Sequence, residues 1–362
     1  MKIAITGLSN SGKTTVFNAL TGLEVETTPY PTTSGEPHRG VVKVPDERIE
    51  KLSAIFNPRK TTPSTVEYVD YLGLTKGDPK QNRGVFEFIK DADALLHVVR
   101  AFRDDSVAHP LGGPDPLRDV RAVETEFLLG DLELVERRLE SMELSSKKGK
   151  KPDESERRAL LKCREALEGE RALRDVEFGE EELRAMRHLQ FMSIKPEITL
   201  INVGEGDLGK EAEREAERQV SQFYGGGSST VVITMGGKAE MEIAALPPED
   251  RGAFLGDLGI EEPALSRLIR ASYKLLGLIS FLTVGPDEVR AWAIRKGTDA
   301  VNAAGKIHSD IQRGFIRAEV IGYEDFMGAG SMAAARDKGL IRLEGKTYEV
   351  RDGDIINFRF NV

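Results

Sequence analysis

The apolar positions of this chain change rhythm along its length, and each rhythm predicts a different kind of element. Short aliphatic and β-branched runs at Lys2–Thr6, Val66–Asp70, Ala94–Val99, Ile198–Ile201 and Thr230–Thr234 have the length of buried strands. From Thr125 to about Met192 the spacing turns helical and heavily charged, with Phe127, Leu128, Leu132, Leu134, Val135 and Leu139 on one stripe. Ser145–Pro152 reads as a turn, after which Leu160, Leu161, Ala166 and Leu167 resume the stripe, so a long helical hairpin is predicted. From about Ile279 the pattern returns to short strands, Phe281–Val284, Phe315–Val320 and Thr347–Val350, as in a small β-grasp-like module.

Composition narrows the class. At 362 residues the chain suggests two or three domains. Its formal net charge of -9 argues against a nonspecific nucleic-acid binder as a whole. A lone cysteine, Cys163, excludes an internal disulfide framework. No apolar run approaches the roughly 18 residues of a membrane span, and the first strand is not read as a signal peptide, so the expected location is cytoplasmic. Residues 279–362 carry twelve Lys/Arg and twelve Asp/Glu, which favours a partner-docking module over a nucleic-acid clamp. The lysines at the hairpin turn, Lys147, Lys148, Lys150 and Lys151, are either an RNA contact or a solvated loop. His308 and Trp292 are expected to be structural.

The chemistry is concentrated after the first strand. Gly7-Leu8-Ser9-Asn10-Ser11-Gly12-Lys13-Thr14 is a G-x-x-x-x-G-K-[ST] phosphate loop between a strand and a helix. Its backbone N–H groups and the helix N-terminus suit an anion. Lys13 is expected at the β- and γ-phosphates and the Thr14 hydroxyl at Mg²⁺. Tyr30–Pro37 offers hydroxyls on a flexible segment, the part that senses a γ-phosphate in a switch protein. Asp70, at the end of an apolar run, should reach Mg²⁺ through water, and the Gly73 amide should meet the γ-phosphate. Leu74 then stands where a GTPase such as Ras carries its water-orienting Gln, so unaided turnover should be slow. Guanine-specific proteins carry N-K-x-D after a later strand; here Asn202-Val203-Gly204-Glu205 lacks both the Lys and the Asp. Without that hydrogen-bonding pair, strong guanine selection should be absent. Met235–Lys238 fits a third base-contact segment.

These motifs, with Glu36-Pro37, Gly40–Val42, Glu288–Trp292, Gly314–Val320 and Asp352–Phe360, resemble the Obg-like ATPase (YchF) family of translation-factor-class P-loop NTPases over nearly the whole chain. The resemblance implies an α/β fold: a P-loop NTPase G domain with a mostly parallel sheet, a helical coiled-coil hairpin insert and a C-terminal β-grasp-like TGS domain. The corresponding boundaries are 1–124 and 193–278 for the G domain, 125–192 for the insert and 279–362 for the TGS domain. It implies an ATP preference, with phosphate-loop contacts at Asn10, Ser11, Gly12, Lys13, Thr14 and Thr15. Mg²⁺ ligands fall on Thr14 and Ser34, and adenine-side contacts on Asn202, Val203 and Glu205. His109 is implied as the residue that orients or deprotonates the attacking water. Asn10 matches the loop Asn of K⁺-stimulated NTPases, and the ribosome or its factors are the implied partners. Ser9, Ser11, Ser34, Gly236–Lys238 and the residues between Asp70 and Gly73 depart from the family's usual pattern. The competing readings are a GTPase of the Obg class, a small-molecule kinase, against which the two switch segments argue, and a non-hydrolysing nucleotide-binding module.

Overall fold

The computed structural model describes residues 1–27, 36–149, 151, 153–225, 229–247, 250–251, 255 and 262–361. In chain order its elements begin with β1 (Lys2–Thr6), α1 (Lys13–Thr21), β2 (His38–Lys43), α2 (Glu47–Phe56), β3 (Lys60–Thr62), β4 (Thr65–Asp70), α3 (Pro79–Lys90) and β5 (Ala94–Arg100). There follow α4 (Pro116–Lys147), α5 (Glu154–Glu168), α6 (Glu180–Met186), β6 (Glu197–Asn202), α7 (Glu211–Tyr224), β7 (Thr230–Met235) and α8 (Gly237–Ala245). The remaining major elements are α9 (Ala264–Leu275), β8 (Leu278–Thr283), β9 (Glu288–Arg295), β10 (Phe315–Gly322), β11 (Arg342–Glu344) and β12 (Asp354–Phe360).

Two compact units result, residues 1–41 with 67–268, and residues 42–66 with 269–362. The first is built on a six-stranded sheet in the order β2-β4-β1-β5-β6-β7. β1 pairs in parallel with β4 and β5, β5 with β6, and β6 with β7. β5 and β6 are buried along their whole length, which is why they read as continuous apolar runs rather than alternating ones. α4 is one helix of 32 residues, starting at Asp115, whose side chain caps it by accepting from Arg118 N–H. It begins ahead of the expected insert boundary because Val120, Val123 and Phe127 belong to the cores around β5 and α3. Farther along, Val135, Leu139 and Met142 pack on Leu160, Cys163 and Leu167 of α5 to form the hairpin's own core. Cys163 is a buried hydrophobe there, its thiol pushed up to about 12 by desolvation.

The second unit holds another six-stranded sheet, β11-β10-β12-β8-β9-β3. Its membership corrects the expected domain boundaries, since residues 42–66 fold with the C-terminal stretch and not with the phosphate-binding unit. The reason is a short amphipathic helix whose face needs a partner. Ile49 and Leu52 of α2 are buried among Leu282, Val289, Ala291, Ile321, Phe326 and Ile355. Arg48 is forked between Asp46 and Asp352 at 2.8 Å each, and β3 extends the sheet by pairing in parallel with β9. Trp292 stacks on Phe281, and His308 Nδ1 accepts from Asp310 N–H at 3.1 Å as a helix cap, so both are structural as expected.

A buried polar cluster ties α4 to the first sheet. Arg174 lies against Glu124 of α4 and 3.4 Å from Glu197 of β6, while His97 Nδ1 meets Glu197 Oε1 at 3.2 Å. Tyr224 O–H reaches both carboxyls. One guanidinium faces two carboxyls out of water, so a single ionised carboxylate suits it best. Arg174 holds Glu197 down at about 2 even though burial opposes this, whereas desolvation and then the Glu197 charge push Glu124 up to about 8. The sign of the pH effect follows. Between the ordinary value of 4.5 and about 8 the unfolded chain ionises Glu124 while the folded chain keeps the proton, so stability falls as pH rises through that window. Glu124→Gln keeps the neutral shape and removes this term. Thermal melts from pH 4.5 to 8 should show the variant gaining on wild type toward pH 8, by on the order of a few kcal/mol. Parallel profiles would place the proton elsewhere.

Candidate functional site: a phosphate loop and its surroundings

The first strand ends at Thr6 and α1 begins at Lys13, so the loop between them must reverse direction within six residues. It does so with left-handed conformations at Asn10 (φ 61°) and Gly12 (φ 90°). Gly12 has a second reason to be glycine, because a Cβ there would sit 2.2 Å from Asn202 Nδ2. The loop is pinned from the other side by the chain that leaves β4. Leu74 N–H donates to Gly7 O at 2.9 Å and Ser9 N–H to Leu74 O at 3.3 Å. That approach requires Gly73, since a Cβ there would lie 2.6 Å from Ser9 Cα. The phosphate loop and the Asp70–Gly73 segment are therefore joined backbone to backbone.

Inside this junction sit the charged groups. Lys13 is buried, and its Nζ donates to Leu8 O at 2.8 Å. Desolvation pushes its ammonium down to about 8, and the charge of Asp70 opposes the shift. Thr14 Oγ1 donates to Asp70 Oδ2 at 2.7 Å. Asp70 is raised above the ordinary carboxylate range, foremost by burial, with Lys13 and Thr14 pulling the other way. Its second oxygen, Oδ1, is buried without a hydrogen-bond partner. A desolvated carboxylate with one bare oxygen beside a hydroxyl is a hard-oxygen pair that fits Mg²⁺. Thr15 stands on the first turn of α1. Ser34, the other expected metal ligand, lies outside the described residues, as does most of the Tyr30–Pro37 segment.

The base-side residues divide differently from the motif's expectation. Asn202 is a strut: its Nδ2 donates to Ser11 O at 3.1 Å and its Oδ1 accepts from Gly237 N–H at 3.0 Å. Val203 is buried among Val99, Val120, Ile201 and Val220 and so lies in the core. Glu205 is exposed on a short helical turn after Gly204. A residue without a motif joins this side. Phe102 N–H donates to Asn202 O at 3.1 Å, and the Phe102 ring lies 3.6 Å from where a Cβ on Gly12 would stand. Arg100, buried at the end of β5, donates to Phe102 O, Asp104 O and Val107 O and so shapes the loop beyond it. A buried arginine at a strand end was the available sequence signal for that loop.

Two residues tied to hydrolysis are occupied otherwise. Leu74 is fully buried against Leu8, Val85 and Leu95. His109 shares a crevice with Leu8, Ser9, Ser11 and His97–Arg100, and Asp119 occupies its Nε2 at 2.9 Å. Asn10 Nδ2 donates to the neighbouring Ala108 O at 2.9 Å, linking the phosphate loop to the His109 loop. The structure thus brings Asn10–Thr15, Asp70, Gly73 and Asn202 into one site, with His109 behind the loop and Val203 in the core.

Comparison with known proteins covers the chain from end to end. A C-terminal YchF GTPase family, described only as a protein of unknown function, matches residues 278–361, and the 50S ribosome-binding GTPase family matches residues 2–126. The ribosome-binding ATPase YchF of Bacillus subtilis is 42% identical, over 99% of this chain and 98% of its own. The protein of that name from Escherichia coli O157:H7 is 40% identical, over 100% of this chain and 99% of its own. The solved YchF GTPase of Schizosaccharomyces pombe superposes with a TM-score of 0.84 at 30% identity, over 99% of this chain and 97% of its own.

The cradle makes one prediction. Lys13→Ala should weaken binding of a Mg²⁺-nucleoside triphosphate by roughly 30-fold to several-thousand-fold, about 2–5 kcal/mol. The melting temperature should hold, because the ammonium removed is one that burial already penalises. Calorimetric titration of the folded variant checks this; undiminished affinity would remove Lys13 from the site.

Proposed function

The chain belongs to the YchF family, and on that premise we propose that it is an ATP-binding, slowly ATP-hydrolysing switch that works with the ribosome in the cytoplasm. The observation that carries the reading is the Lys13–Thr14–Asp70 cradle with its bare, buried carboxylate oxygen. Lys13 supplies the fixed positive charge for the β- and γ-phosphates, and the backbone of Asn10–Thr15 wraps them. Thr14 and Asp70, with Ser34 as the further candidate, would hold Mg²⁺, which supplies charge neutralisation as the phosphoryl group leaves. The Gly73 amide, fixed against Ser9, is the candidate sensor of the γ-phosphate.

Slow turnover follows from Leu74, whose side chain lies in the core and has no group to orient water. His109 is the candidate that takes over this task, once freed from its present partners. Asn10, at the loop position of K⁺-stimulated NTPases, is the candidate K⁺ contact. Among the described residues no helix is long and apolar enough to cross a membrane, and the relatives' name, ribosome-binding ATPase, supplies the partner class. The C-terminal sheet is assigned to partner docking, as a TGS domain.

For the base, Glu205 replaces the guanine-reading Asp, and Phe102 offers an apolar face that any purine can stack on. A second reading, a GTPase, is favoured by the name of the fission-yeast structure and of the family matched by residues 2–126. Displacement of a labelled ATP analogue by ATP and by GTP in Mg²⁺ separates the two. ATP should compete at least about tenfold better, and Glu205→Asp should narrow the gap. A strong preference of the wild type for GTP would reverse the assignment.

A further inference from the structure

His109 is in no position to act on water in the conformation observed. Its side chain is 4% exposed, and both ring nitrogens are engaged. Leu111 N–H donates to Nδ1 at 3.0 Å, which leaves the proton on Nε2, and Nε2 donates to Asp119 Oδ2 at 2.9 Å. Neutral imidazole with its lone pair accepting and its proton committed has nothing to offer an incoming nucleophile. The crevice it shares with Leu8, Ser9 and Ser11 has no room for a water molecule.

The arrangement is built and not incidental. Asp119 is buried in the first turn of α4, and its other oxygen, Oδ1, accepts from Arg118 Nε at 3.0 Å and Nη2 at 2.7 Å. The same guanidinium donates to Leu111 O at 3.1 Å and to Gly113 O at 2.5 Å, so one arginine grips both the carboxylate and the loop that carries His109. Asp115 closes the set by capping the helix under Arg118. If His109 leaves, Asp119 keeps its arginine. The carboxylate is then not stranded, and the exchange is reversible on the scale of two hydrogen bonds.

We propose that Asp119, clamped by Arg118, is a positioning residue that parks His109 in an idle state, and that turnover requires its release. This rests on the reading of His109 as the residue that acts on water. Asp119→Asn preserves the shape but sets an amide N–H₂ or a neutral oxygen against Arg118, weakening the parked state. In single-turnover ATP hydrolysis by the full chain, Asp119→Asn should be faster than wild type by about 3- to 30-fold. The double variant with His109→Ala should fall back to the rate of His109→Ala alone. A slow Asp119→Asn beside a slow His109→Ala would overturn parking, making Asp119 an aid to catalysis, while leaving His109 in place. A His109→Ala as active as wild type would instead strike out the His109 reading itself. A second measurement does not depend on the variant folding. In ¹⁵N-histidine-labelled wild type, the Nε2–H signal of His109, assigned by its loss in His109→Ala, should be protected in the free protein and lose that protection with Mg²⁺ and a non-hydrolysable ATP analogue. The same tautomer and the same protection in both would also refute the proposal.

Discussion

The site depends on one constraint: the Lys13 ammonium and the Asp70 carboxylate are both kept out of water, and one carboxylate oxygen has no hydrogen-bond partner. Lys13 Nζ donates to Leu8 O, while Asp70 Oδ2 accepts from the Thr14 hydroxyl and Oδ1 is left bare. Such a pair is expensive in a finished core, and it is tolerated here because the backbone around it is over-determined. Gly73 lies flat on Ser9, Leu74 and Gly7 exchange a main-chain bond, and Asn202 braces Ser11 against Gly237. The scaffold holds unspent charge in place for a ligand that brings both phosphate and a cation.

How much of this was legible in the sequence follows from how local each determinant is. The phosphate loop and Asp70 could be read because their chemistry demands fixed residue types at fixed spacing, and the turn at Gly12 admits no side chain. Val203 and Asn202 could not be assigned from their motif alone. The N-x-x-E spacing does not announce that Asn202 braces Ser11 or that Val203 packs with Val99, Val120 and Val220. Residues 42–66 illustrate the same limit at larger scale. Ile49 and Leu52 announce an apolar face, but nothing nearby in the chain says that residues more than two hundred positions later will cover it. The interactions of His109 were hidden for a further reason, since its partner Asp119 reads as an ordinary acidic residue in a helix's early turns.

α4 gives the hairpin and the hydrolytic apparatus a common backbone. Its early turns hold Asp115, Arg118 and Asp119 around the His109 loop; its middle carries Glu124 into the buried cluster with Arg174 and Glu197; its far half builds the hairpin core. A helix of 32 residues spans about 48 Å, so one element reaches from the His109 loop to the hairpin core.

The same geometry bears on why base choice and hydrolysis need not evolve together in this fold. The proposed base site lies on the side of the loop formed by Phe102, Gly204 and the exposed Glu205. The proposed hydrolytic residue, His109, lies on another side, where Asn10 Nδ2 donates to Ala108 O and Asp119 of α4 holds the imidazole. Asn202 Nδ2 donates to Ser11 O of the phosphate loop at 3.1 Å. In the proposed reading, exchanging Glu205 bears on the choice of nucleotide and loosening Asp119 bears on turnover.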